Sequence, residues 1–104
     1  MSTLRVSVAV GEPGPIITLS GEADASNAAQ LSDAIAAQLA SGAVYLTIDA
    51  AALSFADSMS IGILTGAAKA LKGLGGRLVL LRPQESLVRT LTLLGADRVL
   101  TIVS

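Results

Sequence analysis

Val44-Tyr45-Leu46-Thr47-Ile48-Asp49, an alanine-rich run, and then Phe55-Ala56-Asp57-Ser58-Met59-Ser60-Ile61-Gly62-Ile63-Leu64 decide the fold. In the first segment Val44, Leu46 and Ile48 alternate with other residues, the period of a strand with one face on a core. In the second, Ile61, Leu64, Ala68 and Leu71 recur at helical spacing. The alanine-rich run between them reads as a linker, and Asp57 stands where the helix begins. A buried strand therefore feeds a helix through a polar start.

The same alternation of periods extends in both directions. Leu4, Val6, Val8 and Val10 alternate with Arg5, Ser7 and Ala9, a first strand that Gly11-Glu12-Pro13-Gly14-Pro15 breaks. Residues 16–19 are apolar except Thr18 and largely β-branched, which suits an interior strand. Gly21-Glu22-Ala23-Asp24 is expected as the polar turn ending it. Ala28, Leu31, Ile35 and Leu39 then mark a helix capped by Asp24 or Ser26 and closed at Gly42. Gly73, Gly75 and Gly76 stop the helix of Leu71, and residues 78–81 form a further buried strand. Pro83 occupies a first helical turn, Leu87, Leu91 and Leu94 give the apolar stripe, Gly95 ends that helix, and residues 99–103 are a last strand.

The order β-β-α-β-α-β-α-β predicts an α/β fold. It is one domain over residues 1–104 with a mostly parallel mixed sheet of about five strands, the opening strand antiparallel and the helices packed against it.

Composition narrows function. Of 104 residues, 52% are hydrophobic and 2% aromatic, and there is no cysteine, histidine or tryptophan. That removes thiolate nucleophiles, disulfides, thiolate or imidazole metal sites, and an imidazole base for a serine, so the protein is not expected to be an enzyme or to carry a metal or cofactor. Seven Lys+Arg against eight Asp+Glu give a net charge of −1, with no basic stripe, and Tyr45 and Phe55 make no stacking platform, so nucleic acid is not an expected partner. The mean hydropathy is +0.70, yet the longest uncharged stretch, residues 34–48, is broken by Gln38, Ser41 and Thr47 and falls short of the ~20 residues of a spanning helix. No membrane insertion is expected. Residues 1–10 alternate instead of forming a signal peptide, and the expected location is cytoplasmic.

Four features could carry function. Asp57 could cap the second helix, with Ser58 in its first turn beside free N–H groups, where a phosphate is electrostatically welcome; the pair could equally serve only as a cap. Glu22 and Asp24 follow a parallel strand on the rim where sites gather. There the two carboxylates could orient a serine hydroxyl, hold a divalent cation against a nucleotide-bearing partner, or simply form a solvated turn. Gly62 and Gly66 lie on one helix and suggest close packing against a neighbouring element or partner, whereas Gly73-Leu74-Gly75-Gly76, with a helix before it and a strand after it, has the wrong context for a phosphate loop. Arg82-Pro83-Gln84-Glu85 and Arg89 read as the exposed face of the third helix.

Together, Gly21-Glu22-Ala23-Asp24, Leu46-Thr47-Ile48-Asp49, Phe55-Ala56-Asp57-Ser58, a glycine before the fourth strand and Leu91-Thr92-Leu93-Leu94-Gly95 resemble the STAS domain family, and within it the bacterial anti-sigma factor antagonists. The resemblance covers nearly the whole chain. It implies binding to an anti-sigma factor, itself a serine kinase of the histidine-kinase-like ATPase fold, with release of the sigma factor. Phosphorylation of the serine after the Asp breaks the complex, and a phosphatase restores it. By that resemblance Ser58 is the phosphate acceptor, with Ser60 a second candidate, and Asp24, Asp57, Ser58, Met59 and Ser60 meet the partner. The family pattern Asp-Ser-Ser/Thr-Gly-Leu reads here Asp57-Ser58-Met59-Ser60-Ile61, with Met59 in place of a small hydroxyl residue and Ser60 in place of glycine. Met59 motivates a second expectation, a non-phosphorylated STAS subunit that binds and stabilises a transporter ATPase or scaffold complex.

Overall fold

A computed structural model describes residues 2–104, so of the expected domain only Met1 lies outside it. Strands β1 (Leu4–Ala9), β2 (Ile16–Ala23), β3 (Tyr45–Ala56), β4 (Arg77–Leu81) and β5 (Thr101–Val103) form one sheet in sequence order. β1 is antiparallel to β2 and every other pair is parallel. Helices α1 (Ala28–Ala40), α2 (Ser58–Gly73) and α3 (Glu85–Leu93) make the crossovers, and a 3-10 turn, Ala96–Arg98, leads into β5. The α/β class, the mixed sheet and the antiparallel first strand are those expected from the alternation of periods.

Residues paired across strands share a face, and the buried ones fall on one side of the sheet: Leu4, Ile17 and Leu19, Leu46 and Ile48, Leu78 and Leu80. Leu31 and Ile35 of α1, Ile61, Leu64 and Leu71 of α2, and Leu87 and Leu91 of α3 join them in one core cluster. All three helices therefore cover that side. Each fully buried Leu or Ile is worth about 1.5–3 kcal/mol relative to exposure, which is why period alone located the elements. The other side, with Arg5, Thr18, Thr47, Asp49 and Arg77, stays exposed or half-buried.

Six local expectations are corrected. Residues 50–54 are not a linker: β3 continues through them to Ala56, pairing with β2 beyond the last β4 partner, Asp49↔Leu81. Gly21, Glu22 and Ala23 likewise belong to β2 rather than to a turn, with register shifts against β3. α1 begins after Asn27, and neither Asp24 nor Ser26 caps it. Pro83 precedes α3, whose N-cap is Gln84, and Leu94 lies past its end, exposed rather than in the stripe. The last strand starts at Thr101, because residues 96–98 take the tighter 3-10 path.

Candidate functional site

The site grows from the ends of β2 and β3. Ala23 pairs with Ala56, and the residue just past β3, Asp57, donates its N–H to the Ala23 carbonyl at 3.0 Å. The loop carrying Asp24 and the start of α2 thus leave the sheet side by side, on the shared rim that the sequence suggests.

Asp57 is the N-cap of α2: its backbone is extended and its Oδ1 accepts from the Ser60 N–H at 2.8 Å. A helix start leaves its first N–H groups without intrahelical acceptors. The Asp57 side chain satisfies that of Ser60, while the N–H groups of Ser58 and Met59 have no protein acceptor among the described residues. Ser58, the first helical residue, is exposed. Met59 beside it is 55% exposed and Phe55, two residues before the cap, 49%. Two large apolar side chains are therefore left in solvent within three residues of Ser58.

Ser60 is a correction. It is fully buried, and its hydroxyl has no hydrogen-bond partner among the described residues. Helical spacing puts it with Leu64, Ala67 and Leu71 on the core face of α2. In this fold it can neither receive a phosphate nor touch a partner. Of the five residues expected to meet one, the structure brings Asp24, Asp57, Ser58 and Met59 to the rim and sends Ser60 inward.

The facing loop is held by Asn27. Buried before α1, its Oδ1 accepts from the Asp24 N–H at 3.0 Å and its Nδ2 donates to the Glu22 carbonyl at 2.9 Å. Asp24 Oδ1 accepts from the Ser26 N–H at 2.9 Å and the Ser26 hydroxyl at 2.6 Å. Hydrogen bonding by the Ser2 side chain, then by the Ser26 hydroxyl and N–H, holds the Asp24 carboxyl below its ordinary value. The charge stays on near neutrality. Gly21, at φ 102°, sets the approach: a Cβ there would lie 2.2 Å from the Thr3 carbonyl oxygen. Ser54 ties β3 to this end of β2, its hydroxyl donating to the Gly21 carbonyl at 3.0 Å.

A shallow groove runs from Ser58 along α2, between Ile61, Gly62 and Thr65 on one side and Leu94, Ala96 and Val99 on the other. No element of the domain packs closely at Gly62 or Gly66, since nothing lies within 4 Å of a Cβ placed on either. Arg82 and Gln84 also depart from expectation. They are not on α3 but brace β3, with Arg82 Nη2 2.7 Å from Asp49 Oδ2 and Gln84 Nε2 donating to the Ala51 carbonyl at 3.1 Å. Among the described residues no three His, Cys, Asp or Glu side chains gather as a metal set, and no helix is long and apolar enough to cross a membrane.

Asn27 and Phe55 escaped the sequence reading. Asn27 stands directly before the helical period, a position that often carries a cap, and Phe55 is the chain's single phenylalanine at the end of a strand.

The sequence matches the STAS domain family over residues 7–104. No curated protein matches it. Among solved structures it is similar to an anti-sigma factor antagonist from Mycobacterium paratuberculosis, 25% identical with a TM-score of 0.87 over 97% of this chain and 86% of that one. It is also similar to a putative antagonist from Thermotoga maritima, 22% identical with a TM-score of 0.82 over 95% and 86%. A third similar structure is the antagonist SpoIIAA in its unphosphorylated form, 23% identical with a TM-score of 0.78 over 98% and 89%.

Proposed function

The chain belongs to the STAS domain family, and we propose that within it the protein acts as an anti-sigma factor antagonist switched by phosphorylation of Ser58. It binds an anti-sigma factor that is a serine kinase of the histidine-kinase-like ATPase fold, frees the sigma factor, and is restored by a phosphatase after modification. It has no catalysis of its own. The observation that carries this reading is an exposed serine at a helix start, directly after its capping Asp and beside a second, fixed carboxylate loop.

The chemistry follows from the geometry. A phosphate on Ser58 adds about −1.5 to −2 charge at the positive end of the α2 dipole, within reach of the free N–H groups of Ser58 and Met59. The domain itself tolerates that charge. A docked partner meets it next to the carboxylates of Asp24 and Asp57, so a contact that was neutral at Ser58 becomes repulsive without any refolding. The kinase brings base, nucleotide and metal.

Incubation with the anti-sigma kinase and ATP should add one phosphate, located at Ser58 by mass spectrometry, and dissociate the complex. Ser58→Ala should bind and resist release. A Ser58→Asp protein that binds a confirmed partner as tightly as the wild type would overturn the reading. The exposure of Met59 favours one second reading, a permanent apolar contact to a transporter ATPase or scaffold. Isolation from the native host bound to such an assembly, with every serine unmodified, would decide for it.

A further inference from the structure

β1 is the first strand of the sheet, and its outer side pairs with nothing among the described residues. The Thr3 carbonyl accepts from the Glu22 N–H at 3.0 Å, and backbone groups in an antiparallel ladder alternate in direction. Arg5, Ser7 and Ala9 therefore face β2, while Leu4, Val6 and Val8 turn their N–H and C=O groups outward. Native sheets blunt such an edge with lysine, proline, a bulge or a covering element. β1 has none of these: its register with β2 is regular from Leu4↔Gly21 to Ala9↔Ile16, and Arg5 is its only charge. Val8 is 47% exposed and Val10, just beyond the strand, 99%.

We propose that β1 pairs antiparallel with β1 of a second copy of this chain, about a two-fold axis at Ser7, giving a homodimer with one sheet continuous across both copies. Only outward-facing residues can exchange hydrogen bonds, so Val6 must meet another member of that set. Centring on Ser7 sets Val6 opposite Val8 and Leu4 opposite Val10 on the helix-bearing side, and so covers both exposed valines. On the other side Arg5 meets Ala9 and Ser7 meets its own counterpart. No like charges lie opposite one another, and aliphatic groups meet aliphatic groups. The segment is complementary to itself, which is the reason to assign the edge to a second copy. The axis stands normal to the sheet, so both helix layers lie on one side and the two Ser58 rims point in opposite directions. Each remains free, and the pairing holds whatever binds there.

Ser7→Cys tests the register directly, because the natural chain contains no cysteine. Facing residues of a non-hydrogen-bonded pair have Cα atoms about 4.5 Å apart, within disulfide range. Mild oxidation should convert Ser7→Cys to a covalent dimer at least roughly tenfold faster than Arg5→Cys or Ala9→Cys alone, while those two, mixed, should cross-link to each other. Light scattering should give the dimer mass for the wild type and the monomer mass for Val8→Pro, whose lost N–H points away from β2. Val8→Lys should behave alike, and circular dichroism should show both variants folded. A wild type that stays monomeric at hundreds of micromolar, equal oxidation rates for the three cysteine variants, or a dimer that survives both Val8 substitutions would overturn the proposal.

Discussion

The Asp57 N–H donates to the Ala23 carbonyl at 3.0 Å, joining the cap of α2 to the last residue of β2. One hydrogen bond therefore sets the spacing between the Asp24 loop and the start of α2. Any change at one reaches the other through a short, stiff path.

The cap comes first. Asp57→Ala leaves the Ser60 N–H without its acceptor and should destabilise the domain by about 1 kcal/mol. A urea titration should show a lower midpoint with an unchanged slope, and Asp57→Asn should recover most of the loss.

Ser60 predicts the opposite sign. Its hydroxyl is buried without a partner, and an unpaired buried hydroxyl costs about 1–3 kcal/mol. Ser60→Ala removes the group, keeps a good helix former and should raise stability by up to about 1 kcal/mol. Kinase treatment of the variant should still place one phosphate, on Ser58.

At Ser58 stability and binding should separate. An acidic residue in the first turn gains about 0.3–1 kcal/mol from the helix dipole, so Ser58→Asp should melt no lower than the wild type. Partner affinity should nevertheless fall roughly tenfold or more, the expected result of a charge placed against carboxylates at an interface. Calorimetry on Ser58→Asp and the wild type reads the two effects in one series.

Acid should act in part through Asp49. Burial pushes its carboxyl up, but hydrogen bonds from the Ala51 N–H and the Arg82 guanidinium, with the charge of Arg82, outweigh that and hold it below 3.8. A value lowered by folding means the contribution is present above the ordinary carboxylate range and lost as pH falls through the folded value. Arg82 is 57% exposed, so the pair is worth only about 0.5 kcal/mol. Asp49→Asn should cost about that at pH 7 and progressively less as the pH falls through the carboxylate range, in denaturant titrations across that range.

Gly21→Ala tests the path to Asp24. The new Cβ would meet the Thr3 carbonyl at 2.2 Å with φ at 102°, and left-handed backbone alone costs an ordinary residue about 1–2 kcal/mol. A loss of at least about 2 kcal/mol is expected, with broadened amide signals around residues 22–27.

What could be read from the sequence was what burial makes periodic. Leu46 and Ile48, Leu31 and Ile35, and Leu64 and Leu71 placed β3, α1 and α2, and the Asp-Ser pair placed the cap. Residues 50–54 were hidden because alanine and serine have little strand preference of their own; pairing with β2 holds this part of β3 extended. Arg82 was misread because a residue at φ 54° beside a distant Asp49 is a tertiary contact with no local signal. Ser60 was within reach: its spacing of four to Leu64 already puts it on the buried stripe, and only the pull of a hydroxyl toward solvent argued otherwise.

β3 outruns β4, so the ledge that ends at Ser58 is cantilevered, gripped by β2 on one side and propped by the Gln84 side chain on the other. Beyond the Asp49–Arg82 pair this stretch has a single strand as its neighbour in the sheet, so the height of Ser58 above the Asp24 loop is fixed by β2 alone.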